Sequence, residues 1–344
     1  MRNRDSNLYD RHQNQRAKAK KERAKAKHFG HREDVTSTFD GKNGPIAVVS
    51  ASSSFSTTSV YMDGIFFKTK LSKEMNASAT KQIVVGDMVL LDDKNDITGI
   101  LPRRSYLARL RGDNTKFSPH AFSEHVIVAN IDTGVIVTTV RSPEFQPRLI
   151  DRYLVLCRYG GVEPLICLNK CDLSSEYPEI LDWYRKIGIK VIKTSTIDGS
   201  GLEPLLDAVE GKTIAFVGSS GVGKSSLINK INPELNIRTQ KISQKGNQGR
   251  HTTTSSNLYQ INKTTLLIDT PGIRSLGLSG IQAKDIKYYF REFEPYEIFC
   301  KYSDCMHSHE NECAVKEAIS KGKIPKERYE SYLRLIDDEN PAAN

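Results

Sequence analysis

Gly218-Ser219-Ser220-Gly221-Val222-Gly223-Lys224-Ser225 lies between the β-branched run Thr213–Val217 and the helical spacing of Lys224–Ile231. It fits G-x-x-x-x-G-K-S in the strand, loop and helix setting that a phosphate-binding loop requires. Glycines let the backbone wrap around phosphates so that successive N–H groups point inward, and the following helix presents its positive end. The loop from Gly218 to Ser226 is therefore expected to hold a nucleotide, with Lys224 on the β- and γ-phosphates and the Ser225 hydroxyl on Mg²⁺. A plain glycine-rich turn is the bland alternative, and the strand and helix on either side argue against it.

Upstream, Asn169-Lys170-Cys171-Asp172 ends the apolar strand pattern at 163–168. A carboxylate at Asp172 can accept from both N1–H and the N2 amino group of guanine. Adenine lacks that pair of donors and would leave the carboxylate unpaired. Asn169 is expected to orient the loop, and the Lys170 stem to lie along the base. Thr194-Ser195 ends the next strand pattern and can send a backbone N–H from Ser195 to the guanine O6. Downstream, Asp269-Thr270-Pro271-Gly272 ends the strand pattern at 265–268, with Asp269 toward Mg²⁺ and the Gly272 N–H toward the γ-phosphate. Between them lies Arg250-His251-Thr252-Thr253-Thr254 in a polar stretch. One of Thr252, Thr253 and Thr254 can complete the Mg²⁺ shell, and Thr253 is the candidate.

Around these motifs, from residue 105, strands alternate with helices. Strand patterns fall at 125–130, 135–140, 163–168, 190–194 and Thr213–Val217. Helical patterns fall at 148–159, 177–187, Leu202–Val209 and Lys224–Ile231, and a hairpin at 258–268 turns on Asn262-Lys263. This alternation predicts a mainly parallel α/β sheet covered on both faces. Residues 44–104 instead read as short strands, at 46–50, 59–67, 83–91 and 97–101, separated by Gly, Ser, Asn and Asp. That pattern suits a small closed β-barrel such as the five-stranded OB-fold, although other small barrels share it. The expected organisation is multidomain: a basic arm at 1–43, the barrel at 44–104, an α/β GTPase body at 105–280 and a helical zinc-binding segment at 281–344.

The arm carries most of the net charge of +9. Residues 1–32 hold eleven Lys and Arg against Asp5, Asp10 and Glu22, a surplus of eight. A basic, aliphatic-poor arm on a near-neutral body reads as a nucleic-acid tail, or more plainly as a solubilising one. No apolar run approaches the roughly 18 residues of a membrane span, and the charged N-terminus has no apolar core behind it. The expectation is a cytoplasmic monomer with no membrane partner. Cys157, Cys167 and Cys171 lie in or beside apolar segments and read as buried thiols. Cys300, Cys305 and Cys313 cluster with His307 and His309 and read as a metal site.

The order of the motifs is unusual. The Asn169–Asp172 and Ser195 loops come before the phosphate loop, and 250–254 and 269–272 follow it, so the nucleotide fold is circularly permuted. This order, the barrel before it and the Cys/His cluster after it resemble the RsgA (YjeQ) family of small-ribosomal-subunit-dependent GTPases. The strings at 218–227, 250–254 and 269–274 carry the resemblance most specifically, and it covers about residues 44–320.

The resemblance implies hydrolysis of GTP to GDP and phosphate, stimulated by the small ribosomal subunit. It also implies a role late in that subunit's maturation, with its rRNA as partner. It carries one Zn²⁺ to Cys300, Cys305, His307 and Cys313. Three thiolates and an imidazole suit tetrahedral coordination, and His309 is the competing fourth ligand.

Many GTPases place Gln after D-x-x-G to orient the attacking water. Ile273 stands there and cannot do so. His251 is the nearest polar candidate for that catalytic role, and the resemblance points to it too; a packing or phosphate-binding role is the alternative. Two other functions fit the same motifs: a large-subunit assembly GTPase, and a nucleotide-gated RNA-binding scaffold in which hydrolysis is incidental.

Overall fold

The computed structural model describes residues 44–54, 57–73, 75, 83–110, 124–235, 237, 256–269, 278 and 281–338. These fall into two compact units that meet in the chain at Ile281 and Gln282. No helix among the described residues is long and apolar enough to cross a membrane.

The first unit begins with β1 (Ile46–Ser54), β2 (Thr57–Met62), β3 (Ile65–Thr69), β4 (Met88–Leu91) and β5 (Ile97–Ile100). Antiparallel pairings join β3 to β2, β2 to β1, β1 to β4 and β4 to β5. A bridge from Leu71 to Ile97 brings the end of β3 to β5, so the five strands close in the order 1-2-3-5-4-1. Alternation puts Ala47, Val49, Val60, Val89, Leu91, Ile97 and Ile100 inside a shared core.

Two expectations are corrected here. The single strand expected at 59–67 is the hairpin of β2 and β3. Asp63 and Gly64 have φ of 51° and 85°, the left-handed pair that an Asp-Gly turn supplies between strands. The strand expected at 83–91 is confined to Met88–Leu91. At Gly86, φ is 91° and a Cβ would collide with the Ala129 carbonyl; its N–H donates to the Val49 carbonyl of β1, and regular pairing begins only at Met88. The Asp87 carboxylate beside it is fully buried and takes Arg103 at 2.6 and 2.8 Å.

Next come β6 (Tyr106–Leu110) and β7 (Glu124–Ala129), which form a two-stranded antiparallel ladder, with an isolated bridge from Val128 of β7 to Val85. The body then runs β8 (Thr133–Thr139), α1 (Pro147–Tyr159), β9 (Glu163–Asn169), α2 (Ile180–Lys186), β10 (Lys190–Lys193), α3 (Leu202–Val209), β11 (Thr213–Val217), α4 (Lys224–Ile231), β12 (Asn257–Gln260) and β13 (Leu266–Asp269). Strand β8 is buried along its whole length, as a central strand covered on both faces must be. On α1, Ile150, Tyr153, Leu154 and Cys157 bury one stripe at i, i+3, i+4 and i+7. The helix expected at 177–187 is shorter at its start; Tyr177, Pro178 and Glu179 precede it, and the Leu181 N–H closes its first turn on the Pro178 carbonyl.

Strands β10, β9, β8, β11 and β13 are parallel in that order. The chain builds outward from β8 through β9 to β10, then returns to lay β11 on the other side of β8. The reversal leaves a crevice at the carboxyl ends of β8 and β11, where open α/β sheets bind ligands. Strand β12 runs antiparallel to β13 and also meets the barrel: Asn257 is opposite Asp269 on one side and Ala51 of β1 on the other.

The second unit contains α5 (Glu294–Glu297), α6 (Ala314–Ser320) and α7 (Lys326–Asp338), with 3-10 turns at Ala283–Tyr289 and Arg291–Phe293. Phe290, Phe293 and Tyr332 pack ring on ring, with centroids 4.9 to 5.4 Å apart. The buried Arg328 guanidinium lies over Phe290 and pairs with Glu292 at 2.6 Å.

Candidate nucleotide site and metal centre

The phosphate loop leaves β11 into the crevice. Gly218, Gly221 and Gly223 take φ of 141°, 81° and 95°, where a side chain is strained. A Cβ on Gly218 would also collide with the Val137 carbonyl of β8, so glycine lets the loop pass tightly over the neighbouring strand. Lys224 opens α4 and folds back across the loop, its Nζ donating to the carbonyls of Gly218 at 2.9 Å and Ser219 at 2.7 Å. The ammonium thus lies over the loop mouth. Ser225 and Ser226 follow in the first turn of α4.

Asn169 is fully buried at the end of β9 and ties three motifs together. Its Nδ2 donates to the Val222 carbonyl of the phosphate loop at 2.9 Å, and its Oδ1 accepts from the Thr194 hydroxyl at 3.1 Å. Lys170 has a left-handed φ of 59° and donates from Nζ to the Ser142 carbonyl at 2.5 Å. Burial lowers its pKa, and the nearby Asp172 opposes that shift. The Asp172 side chain is exposed and accepts from the Ser195 hydroxyl at 2.6 Å. Ser195 is itself fully buried, and its oxygen also accepts the Ile197 N–H at 3.1 Å. The two loops are further joined by the Cys171 N–H on the Thr194 carbonyl.

Asp269 ends β13. Because Ala215 pairs with Ile268, Asp269 lies at the same sheet edge as the phosphate loop. Asn169, Lys170, Asp172, Ser195, Gly218 to Ser226 and Asp269 therefore collect at one end of the sheet. His251, Thr252, Thr253, Thr254, Gly272 and Ile273 lie outside the described residues. Two contributors carry no sequence signature: the Ser142 carbonyl that anchors Lys170, and Pro143, whose ring comes within 3.8 Å of a Cβ built on Gly221.

In the second unit, the donor atoms of Cys300, Cys305, His307 and Cys313 all lie within 4.8 Å of one another. Cys300 Sγ is 3.6 Å from His307 Nδ1 and 3.9 Å from Cys313 Sγ, and Cys313 Sγ is 3.4 Å from the same Nδ1. These separations match the edges of a tetrahedron with Zn–S of about 2.3 Å and Zn–N of about 2.0 Å. His309 is exposed and bonds Ser308 at 3.1 Å; it takes no part in this cluster.

The cluster is held by polar contacts that the Cys and His spacing does not announce. Glu310 accepts the Met306 and Ser308 N–H groups at 2.6 and 2.8 Å, which bends the chain around His307. Tyr329 donates to the His307 carbonyl at 2.7 Å. His307 Nε2 is buried, with Glu297 Oε2 at 3.9 Å, the side on which metal-binding imidazoles carry a carboxylate. Burial pushes the Cys300 thiol up, but the His307 imidazole and the N–H groups of Val315 and Ala314 outweigh it and bring it to about 6. Cys305 is pushed up to about 12, by burial first and then by the neighbouring Cys300 and Cys313 sulfurs. A divalent cation among the three sulfurs offsets that repulsion, so the donor set fits a soft, tetrahedral ion.

Base-side loops that precede the phosphate loop in the chain meet it in space, and this arrangement is that of a circularly permuted phosphate-loop GTPase. The family model described as RsgA GTPase matches residues 100–279. The chain belongs to the RsgA GTPase family, a family of GTP-hydrolysing enzymes.

Among its relatives, a "Small ribosomal subunit biogenesis GTPase RsgA" of Flavobacterium psychrophilum is 35% identical over 276 residues, covering 76% of this chain and 82% of the relative. One of the same name from Chlorobaculum tepidum is 42% identical over 243 residues, covering 70% and 78%. Among solved structures, YjeQ from Thermotoga maritima superposes with a TM-score of 0.66 at 31% identity, covering 86% of this chain and 98% of that one. YloQ, described as a circularly permuted GTPase, gives 0.65 at 25% identity, covering 88% and 97%.

Proposed function

We propose that this chain hydrolyses GTP in the late maturation of the small ribosomal subunit, binding that subunit's rRNA and being stimulated by the subunit. The observation that carries the nucleotide half is Asn169, whose two side-chain bonds lock the phosphate loop to both base-side loops. Asp172, oriented by Ser195, reads the guanine edge, and the Lys170 stem lines one face of the base. Lys224 and the N–H groups of 219–225 take the β- and γ-phosphates. Water attacks the γ-phosphorus in line as the bond to the β-phosphate oxygen breaks, giving GDP and phosphate. His251 orients that water, since Ile273 cannot. Ser225, Thr253 and Asp269 are oxygen donors suited to Mg²⁺, which neutralises charge on the phosphates when bound. Gly272 contacts the γ-phosphate and releases on its loss.

In this reading Cys300, Cys305, His307 and Cys313 hold one structural Zn²⁺, because four protein ligands leave no open position. The barrel is of the oligonucleotide-binding type; its 1-2-3-5-4-1 closure supports that assignment. The surplus positive charge of residues 1–32 adds unselective attraction for RNA.

The deciding experiment is GTP turnover with purified small subunits, large subunits and neither. Stimulation by small subunits alone is expected. Stimulation by large subunits would transfer the role to the other particle. No stimulation by either, with RNA binding retained, would make the chain a nucleotide-gated scaffold.

A further inference from the structure

Consecutive carbonyls of the metal loop are each held by a side chain from another element. Lys287 Nζ donates to the Cys305 carbonyl at 2.7 Å, Tyr332 Oη to that of Met306, and Tyr329 Oη to that of His307 at 2.7 Å. The two tyrosines share one face of α7 and do this as neutral groups. Lys287 does it with a charge. It stands in the 3-10 turn at Ala283–Tyr289 and is only 5% exposed, with the Tyr288 ring centroid 5.3 Å from its ammonium.

Burying an ammonium is unfavourable, and a bond to a neutral carbonyl offsets only part of that. Negative charge close by offsets more. Cys300, Cys305 and Cys313 bring their sulfurs together with His307 within 4.8 Å. Three thiolates and a neutral imidazole around one divalent cation leave an excess of negative charge. The Glu297 carboxylate, 3.9 Å from His307 Nε2, adds to it. Other cations of this unit bond elsewhere. Arg328 pairs with Glu292 at 2.6 Å, and Lys301 pairs with Glu312 at the surface. Lys316 bonds the carbonyls of Ser308 and Glu310 at 3.3 and 2.9 Å, beside the Glu310 carboxylate. Lys287 is buried, and its bond falls on a residue of the donor set itself.

We propose that Lys287 is the counter-charge of the metal centre: its ammonium offsets the excess negative charge of the loaded cluster and so raises the affinity of Cys300, Cys305, His307 and Cys313 for Zn²⁺. This rests on the zinc reading above and adds a residue outside the ligand set, one that no spacing of Cys and His points to. Lys287 acts through the field at the sulfurs, not as a ligand.

The full chain is loaded with Zn²⁺ and titrated with a colorimetric chelator. Lys287→Met is expected to weaken zinc binding by about ten- to a hundredfold. Lys287→Gln, which keeps a donor but drops the charge, is expected to weaken it as much. Lys287→Arg, which keeps the charge, should restore most of the affinity. Thermal unfolding separates charge from packing. In excess chelator, Lys287→Met should melt at or above the wild-type temperature, because a buried charge is gone; with zinc bound it should melt below. A glutamine variant with wild-type zinc affinity would reduce Lys287 to a carbonyl cap and overturn the proposal. So would unchanged affinity in both neutral variants, or a methionine variant that melts lower by the same amount with and without zinc. Wild-type chain that holds no zinc would overturn this proposal together with the zinc reading.

Discussion

A Cβ on Gly223 would collide with Nδ2 of Asn169, the atom that donates to the Val222 carbonyl. The loop that ends β9 and the loop that opens α4 are thus in direct contact, and the glycine is required by that contact as well as by its φ of 95°. Gly223→Ala adds backbone strain to a displaced buried hydrogen bond. The expected cost is about 2–4 kcal/mol, read as a lower midpoint in denaturant titration, with weaker binding of GTP and GDP alike.

Asp172→Asn should exchange the preferred base. An amide can donate where guanine also donates, and it pairs instead with the 2-oxo group of xanthine. Competition between GTP and XTP should show a reversal on the order of 10³-fold or more. A variant still preferring GTP would remove Asp172 from base recognition.

His251→Ala is expected to reduce subunit-stimulated turnover by about a hundredfold or more while leaving GTP affinity intact, the pattern of a lost water-orienting group. Equal losses of affinity and turnover would instead make the imidazole a binding residue.

The Cys/His cluster should hold one zinc per chain by elemental analysis, and Cys305→Ser should hold none. Removal by chelator is expected to lower the melting temperature of the second unit, where the metal joins the segment at 300–313 to the helices packed around it. Thiolate and imidazole ligands must be deprotonated to bind, so acid favours release and alkali retention. His309→Ala, by contrast, should change neither zinc content nor stability, since that ring bonds only its neighbour Ser308 among the contacts described.

Asp87→Ala removes the buried carboxylate that pairs with Arg103, whose side chain is only 10% exposed. Breaking such a pair from one side costs about 3–5 kcal/mol. Thermal unfolding should show that loss without a change in base preference.

The motifs that carry local geometry were legible in the chain itself. Gly218 to Ser225 needs only a strand before it and a helix after it, and both are visible as patterns. What depends on register was not. The bond from Ser195 to Asp172 exists because β9 and β10 run side by side, which no spacing of residues 172 and 195 announces. Strand β6 has no counterpart among the expected strands; it pairs with β7 outside the parallel sheet. Asp63-Gly64 was a turn signal in plain view, overridden because the apolar residues on both sides read as one run. His307 is the expected fourth ligand and His309 its competitor; the fold brings His307 among the three sulfurs, and Glu310 holds the chain bent around it.

The bridge from Ala51 to Asn257 means that β12 is sheltered by a strand encoded some two hundred positions earlier. Cutting the polypeptide ahead of residue 105 would strip that cover and leave β12 as a bare sheet edge, open to pairing with other molecules. The catalytic body is therefore a poor candidate for production as an isolated fragment, and any swap of barrels between relatives has to carry a matching β1.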